Sequence, residues 1–433
     1  MQALIGLYVL SKDHSAIFSW NSMTTLIGLL VLSIFILRCI AILSEKSNIR
    51  GIKILSLFFI AVFFYFNTLV SNLIYFFFVL IFLGFGNIKL RVSYPINIYV
   101  VFLLYCCWTL SYSESYWYGS LMILKLVLPF LFLMVGYSLI DTKDKFRTFL
   151  LKSQKYFIPF AILCTAPFVN LFKPYIKIFT TYEAGNAELF VTLQCISLAL
   201  FFLTKEKQYL IKFVILSLPY ITLIRRTCMG AGAIVFGVAY YFKKGYKAVL
   251  PIVLMLVLSV GAVVSIPSLK ERFFGGDKGD VSGLSTAELL SVDNIGTSGR
   301  SYMWQYVTEK FYYGNEMMGC GLGTMKEYLR NNVQGETAHF EMLHNDHLHL
   351  LIETGWLGVL IYSTFFIVVI FMALSIMRKR SVDITLRVAA FCALSTTLSL
   401  LFSMFFSNML SKLIPIAITF LFIGIFLRLK KNA

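Results

Sequence analysis

Apolar runs long enough to cross a bilayer recur along almost the whole chain. They fall at about residues 23–43, 51–68, 70–86, 96–112, 119–140, 156–172, 187–204, 208–224, 227–243, 247–266, 355–377, 385–408 and 411–428. A helix needs about 20 apolar residues to cross a hydrocarbon layer ~30 Å thick. The short alternating strands that a β-barrel would require are not evident. The pattern predicts an all-α polytopic membrane protein of about 12–14 transmembrane helices. Polar stretches between the runs are short, apart from residues 267–349. The chain therefore reads as an N-terminal transmembrane bundle of about ten spans (1–266), one large loop with short helices (267–349) and a C-terminal group of about three spans (350–433). No internal repeat, soluble-domain linker or low-complexity tract is visible.

Charge orients this arrangement. Lys46, Arg50 and Lys53 lie in one connection, Lys89 and Arg91 in another, and Lys143, Lys145, Arg147, Lys152 and Lys155 in a third. Lys205, Lys207 and Lys212, then Lys243, Lys244 and Lys247, then Arg378, Lys379, Arg380 and Arg387 continue the series up to Arg428, Lys430 and Lys431. Basic-poor connections such as "SYSESYWYG" (111–119) alternate with these. Short basic loops stay in the cytoplasm. Thirteen spans then put the C-terminus inside, the N-terminus outside and segment 267–349 on the outer face. That segment holds eleven of the 21 acidic residues and seven basic ones, so it is mildly acidic in a basic protein. Its length exceeds an ordinary connection, and its Trp, Tyr, Phe and Met content argues against disorder.

Composition agrees. The 433 residues are 59% hydrophobic, with a mean hydropathy of +0.80, which excludes an ordinary soluble domain. A net charge of +17 raises nucleic acid as a partner. Its confinement to short loops points instead to topology and anionic headgroups. Six of the eight cysteines lie within apolar runs as small packing residues. No CxxC metal pattern occurs, and the first residues do not read as a removable signal peptide.

Four features carry candidate chemistry on the outer face. Arg225 and Arg226, in "LIRRTCMG", run against the positive-inside bias. They are either a pair snorkelling to the interface or an anion site facing the long loop. Arginine suits phosphate because its planar fork donates two parallel hydrogen bonds and never deprotonates. "GTSGRSYMWQYVTEKF" (296–311) reads as a short amphipathic helix with Ser298 as its N-cap and Tyr302, Trp304, Tyr306, Val307 and Phe311 as its apolar surface. Arg300 falls in its first turn, where the helix dipole disfavours a cation. Either solvation or a ligand anion explains it.

"GCGLGTMKEYLRNN" (319–332) sets Gly319, Gly321 and Gly323 before a helix. It reads as a flexible turn or as a phosphate cradle of backbone N–H groups. No strand precedes it, so no dinucleotide fold is implied. Last comes "HNDHLHLLIETGWLG" (344–358), with three of the chain's five histidines. If residues 343–360 are helical, His344, His347 and Leu351 share a face, and His349 lies four residues before Glu353. The histidines are open to three readings: interface residues, metal ligands aided by Asp346 and Glu341, or acid/base groups that take a proton from a hydroxyl. No HExxH or comparable metal motif is present.

"GRSYMW" (299–304), "GCGLGT" (319–324), "HNDHLHLLIETGWLG" (344–358) and "TLIRRT" (222–227) together resemble the O-antigen polymerase and O-antigen ligase superfamily. The resemblance implies a fold like the type C glycosyltransferases. It also implies transfer of a glycan, on the periplasmic face of the bacterial inner membrane, from undecaprenyl diphosphate to a sugar hydroxyl on another lipid-linked glycan or on lipid A–core. It assigns the general base to His344, with His347 as the alternative, and the diphosphate to Arg225, Arg226 and Arg300. No metal or other cofactor is implied. The implied partners are the lipid-linked oligosaccharide, the acceptor glycan or lipid A–core, membrane lipids and a chain-length regulator protein, with no nucleic acid. The histidine-rich run departs from the superfamily, where an aromatic residue is more usual than His347. The motifs favour a polymerase over a ligase. A lipid-linked sugar flippase is the rival class, but it would carry charge within the bundle and repeated halves.

Overall fold

A computed structural model describes residues 93–154, 187–222, 226–254, 265, 300–332 and 343–433. The spans expected at 23–43, 51–68, 70–86 and 156–172, and most of 247–266, lie outside the described residues. So do Ser298, Arg225, His339 and Glu341. Among the described residues every regular element is helical. Four helices, Tyr94–Tyr112, Tyr116–Leu139, Asp346–Arg378 and Ile384–Phe406, are long and apolar enough to cross a membrane by length and composition. The all-α membrane architecture expected from hydropathy is therefore observed at this level.

In chain order the helices are α1 (Tyr94–Thr109), α2 (Tyr116–Leu139), α3 (Lys143–Ser153), α4 (Ala187–Thr204), α5 (Gln208–Ile215), α6 (Leu218–Thr222) and α7 (Arg226–Lys244). They continue as α8 (Arg300–Val307), α9 (Thr324–Asn332), α10 (Asp346–Arg378), α11 (Ile384–Phe406) and α12 (Leu413–Lys431). The chain forms two compact units, Met1–Lys89 with Ser138–Leu223, and Leu90–Tyr137 with Ile224–Ala433.

In the first unit, Thr142 caps α3 by accepting from the Lys145 amide at 3.3 Å. The basic connection expected there is thus partly helical, with Phe146, Phe149 and Leu150 buried on one face. α4 matches the expected span 187–204. Its buried Gln194 donates to the Phe213 carbonyl (3.1 Å) and accepts from the Tyr220 hydroxyl (2.9 Å), so no amide is stranded in an apolar setting. The single span expected at 208–224 is instead two short helices. Pro219 cannot donate to the helical ladder and clashes with the turn before it, which separates α5 from α6.

The second unit is built around α11, which packs against α7, α10 and α12. Ser399 of α11 donates to the Ala231 carbonyl of α7 at 3.0 Å. An aromatic cluster joins α1, α10 and α12: Tyr99 meets Phe365 and Phe420 with ring centres 5.0 Å apart, and Phe102 meets Tyr362 at 4.8 Å. α2 and α12 touch backbone to backbone at Gly136 and Gly424. A Cβ on Gly424 would come within 2.9 Å of the Tyr137 nitrogen. Small residues permit such close approach where lipid offers helices no hydrophobic drive to associate.

α10 has 33 residues, about 50 Å at 1.5 Å per residue, which is more than a bilayer core requires. Gly355 divides it, with φ 63° and ψ −173°. The part beyond Gly355 coincides with the expected span 355–377. The part before it carries the histidines.

Candidate active site

The break at Gly355 removes backbone groups from the helical ladder, and each needs another partner. Residues 316–321 supply them. The Cys320 and Gly321 amides donate to the carbonyls of Ile352 (2.9 Å) and Glu353 (3.1 Å). The Trp356 and Leu357 amides donate to those of Glu316 (2.9 Å) and Met317 (3.2 Å). This corrects the reading of "GCGLG" as a flexible turn or phosphate cradle. The Gly319 amide is likewise taken, by the Asn315 carbonyl at 2.7 Å. The motif is glycine-rich because chains cross there at contact distance. A Cβ on Gly319 would come within 2.5 Å of the Thr354 nitrogen, and one on Gly321 within 2.8 Å of the Ser113 Cα. Ser113 then donates to the Leu322 carbonyl (2.6 Å), and the Glu114 amide to the Thr324 hydroxyl (3.1 Å). "SYSESYWYG" and "GCGLGT" thus form one joint.

The described part of the long segment has a core of its own. Met303, Val307, Phe311, Met325, Leu329, Leu343 and Ile352 pack together. The amphipathic helix expected at 296–311 is seen as α8 followed by a π-turn, Thr308–Tyr312. Met303, absent from the expected apolar set, is among its most buried residues. Trp304 donates its indole N–H to the Leu343 carbonyl at 2.6 Å, which pins the residue preceding the histidines.

His344 and His347 do not share a helical face as expected. Asn345 caps α10 by accepting from the Leu348 amide at 3.0 Å, so His344 lies outside the helix. Its φ is +53°, a left-handed conformation unusual for a non-glycine residue. The Asn408 side-chain amide donates to His344 Nδ1 at 3.3 Å. His347 turns the other way: its Nε2–H donates to the Leu401 carbonyl at 3.0 Å, and its ring packs on Phe405 with centres 4.1 Å apart. His349 takes a third direction, with Nε2 3.1 Å from Glu353 Oε2.

A partly open pocket of about 550 Å³, open mouth included, lies here. Asp346, His349 and Glu353 enter it from α10, Lys125 from α2, Lys326 from α9, and Asn408 from the α11–α12 connection. Leu121, Met122, Leu343 and Leu410 are among its apolar lining. Asp346 is 1% exposed and accepts from the Leu410 amide at 2.9 Å. Close by, burial pushes the Cys320 thiol up, and the Glu353 charge adds to the effect, so Cys320 is no thiolate nucleophile. Among the described residues no group of three or more His, Cys, Asp or Glu side chains is placed to hold a metal ion.

Residues 210–363 match the O-antigen ligase family model. The match supports the O-antigen polymerase and ligase superfamily that the motifs resembled. It begins in α5, ends in α10, and contains Arg225, Arg226, Arg300, His344 and His347. No curated protein matches the chain.

Within the O-antigen ligase match, the structure sorts the candidate residues. His344 meets the pocket wall through Asn408, whereas His347 is held on α11. Half-buried Arg226 opens α7 and does not line the pocket. Arg300 opens α8. Lys125 and Asn408 were missed by sequence reasoning. Lys125 had a signal, because it is the one charge in the apolar run of α2 and intramembrane charge marks function. Asn408 had none.

Proposed function

We propose that the protein is a metal-independent glycosyltransferase of the bacterial inner membrane. In this reading it works on the periplasmic face and polymerises undecaprenyl-diphosphate-linked O-antigen or a related surface polysaccharide. His344 is the general base. The acceptor hydroxyl oxygen attacks the anomeric carbon of the donor as its proton passes to the imidazole. The bond from that carbon to the diphosphate oxygen breaks, and undecaprenyl diphosphate leaves with the electron pair. Arg225, Arg226 and Arg300 hold and neutralise the leaving diphosphate.

The observation that carries this reading is the position of His344, inside the family match and held by Asn408 at the wall of a polar pocket. Action as a base through Nε2 requires the opposite orientation of the Asn408 amide, with its oxygen accepting from Nδ1–H. His347 donates its Nε2–H to the Leu401 carbonyl, which leaves the lone pair on Nδ1, and its ring packs on Phe405, so it stays the alternative base. A lipid-anchored diphosphate keeps the reacting carbon near the headgroup plane, so a base at the start of a span is suitably placed. The family description favours a second reading, a ligase that passes the glycan to lipid A–core.

Purified protein incubated with lipid-linked repeat units tests both. A ladder of lengthened glycans supports the polymerase, and product on added lipid A–core supports the ligase. Absence of either product removes the transferase reading.

A further inference from the structure

We propose that the pocket between α2, α9 and the start of α10 binds an uncharged sugar ring of the acceptor glycan, with Glu353 receiving its hydroxyl protons in hydrogen bonds. The inference rests on the transferase reading and adds the acceptor subsite to it.

Glu353 is 0% exposed. Among the described residues neither of its carboxylate oxygens has a hydrogen-bond partner. His349 Nε2 approaches Oε2 to 3.1 Å but without hydrogen-bond alignment. A buried carboxylate normally gathers donors, because removing it from water is costly otherwise. Glu353 lines an open pocket, so a ligand can bring those donors.

The pocket's charge identifies the ligand class. Lys125 and Lys326 are offset by Asp346 and Glu353, and no arginine lines the pocket among the described residues. A diphosphate would leave the two carboxylates opposed to it. A neutral polyol fits better. Its hydroxyls donate to Glu353 and accept from the lysines, while its C–H face lies on Leu121 and Met122. Asn408 belongs to the pocket wall and also contacts His344. A ring seated here therefore has its hydroxyls beside the proposed base, as an acceptor must, and apart from Arg226, which would hold the donor's diphosphate.

The test uses full-length protein in lipid nanodiscs. The probe is the oligosaccharide repeat unit released from its lipid carrier by mild acid. Binding is read by saturation-transfer NMR and calorimetry, and acceptor KM from initial rates with lipid-linked donor. Glu353→Gln should weaken both roughly 10- to 100-fold, the loss expected for a hydrogen bond to a charged group. Lys326→Ala should weaken them by a smaller factor, and the thermal transition of each variant confirms folding. Unchanged oligosaccharide Kd in folded Glu353→Gln overturns the inference, as does displacement of the oligosaccharide by inorganic pyrophosphate. The two readings fail separately. Wild-type protein that binds the oligosaccharide in a Glu353-dependent way but transfers nothing leaves the pocket standing and removes the transferase. Normal transfer with unchanged KM in Glu353→Gln does the reverse.

Discussion

Adding one methyl group at Gly319 should do far more damage than adding one at Gly314, although both lie in the same loop and both have positive φ (75° and 89°). The left-handed conformation costs an alanine about 1–2 kcal/mol at either position. At Gly314 nothing lies within 4 Å of the new Cβ, so the cost ends there. At Gly319 the Cβ would overlap the Glu353 carbonyl and come within 2.5 Å of the Thr354 nitrogen. These are backbone atoms and cannot swing aside. Overpacking adds about 1–3 kcal/mol. Prising the two segments apart breaks the Cys320–Ile352 and Gly321–Glu353 hydrogen bonds, about 1 kcal/mol each. The expected totals are about 1–2 kcal/mol for Gly314→Ala and roughly 4–7 kcal/mol for Gly319→Ala. Purified variants in one detergent, compared by the temperature dependence of tryptophan fluorescence and by limited proteolysis, give the ranking. Gly319→Ala should also lower transfer activity, because Glu353 lies on the displaced segment. Equal thermal losses in the two variants would refute the claim that the loop is held by close backbone approach.

His344→Ala should lower turnover by about 10²- to 10⁴-fold, the usual contribution of a general base. His347→Ala should lose much less, and reversed sizes in a steady-state assay would move the base to His347. Arg226→Ala and Arg300→Ala should each cost roughly 10- to 100-fold with diphosphate-linked donor, and lysine at either position should restore only part. Full activity in both alanine variants would free the arginines from the reaction. A cysteine at Gly283 should react with a membrane-impermeant reagent in cells whose inner membrane is intact, and protection until that membrane is broken would reverse the topology. The Gly314 amide, and then its own amide, hold the Glu316 carboxyl below the usual carboxylate range. A lowered folded-state pKa gives stability that is present above the unfolded value, about 4.3, and is lost as pH falls through the folded one. Acid should therefore narrow the stability gap between wild type and Glu316→Gln, and a gap constant from pH 7 to pH 3 would contradict this.

Among the described residues, hydropathy located the helices long and apolar enough to cross a membrane, because a lipid-crossing helix must satisfy its own backbone and hide its polarity for about 20 residues. The span expected at 187–204 is α4 with the same bounds, and those expected at 355–377 and 385–408 fall on α10 and α11. The break within the span expected at 208–224 likewise had its cause in plain view, at Pro219. Motif and composition likewise singled out the arginines, the histidine cluster and the glycine-rich turn. Their separate roles were not legible, because a residue's type states what it can do and its partners decide what it does. Three histidines within six positions are alike in one dimension. The Asn345 cap removes His344 from the helix, the Leu401 carbonyl takes His347, and His349 lies beside Glu353 at the pocket. Lys125 was visible as a lone charge, but the sequence could not say that α2 would bring it to residues more than two hundred positions away. "GCGLG" looked loose because glycine has no side chain. Only the folded chain shows that the space was needed by another backbone. Local pattern thus determined which segments are helical and apolar enough to cross a membrane, whereas contacts between segments distant in sequence decided the site, since distances across the fold have no counterpart in spacing along the chain.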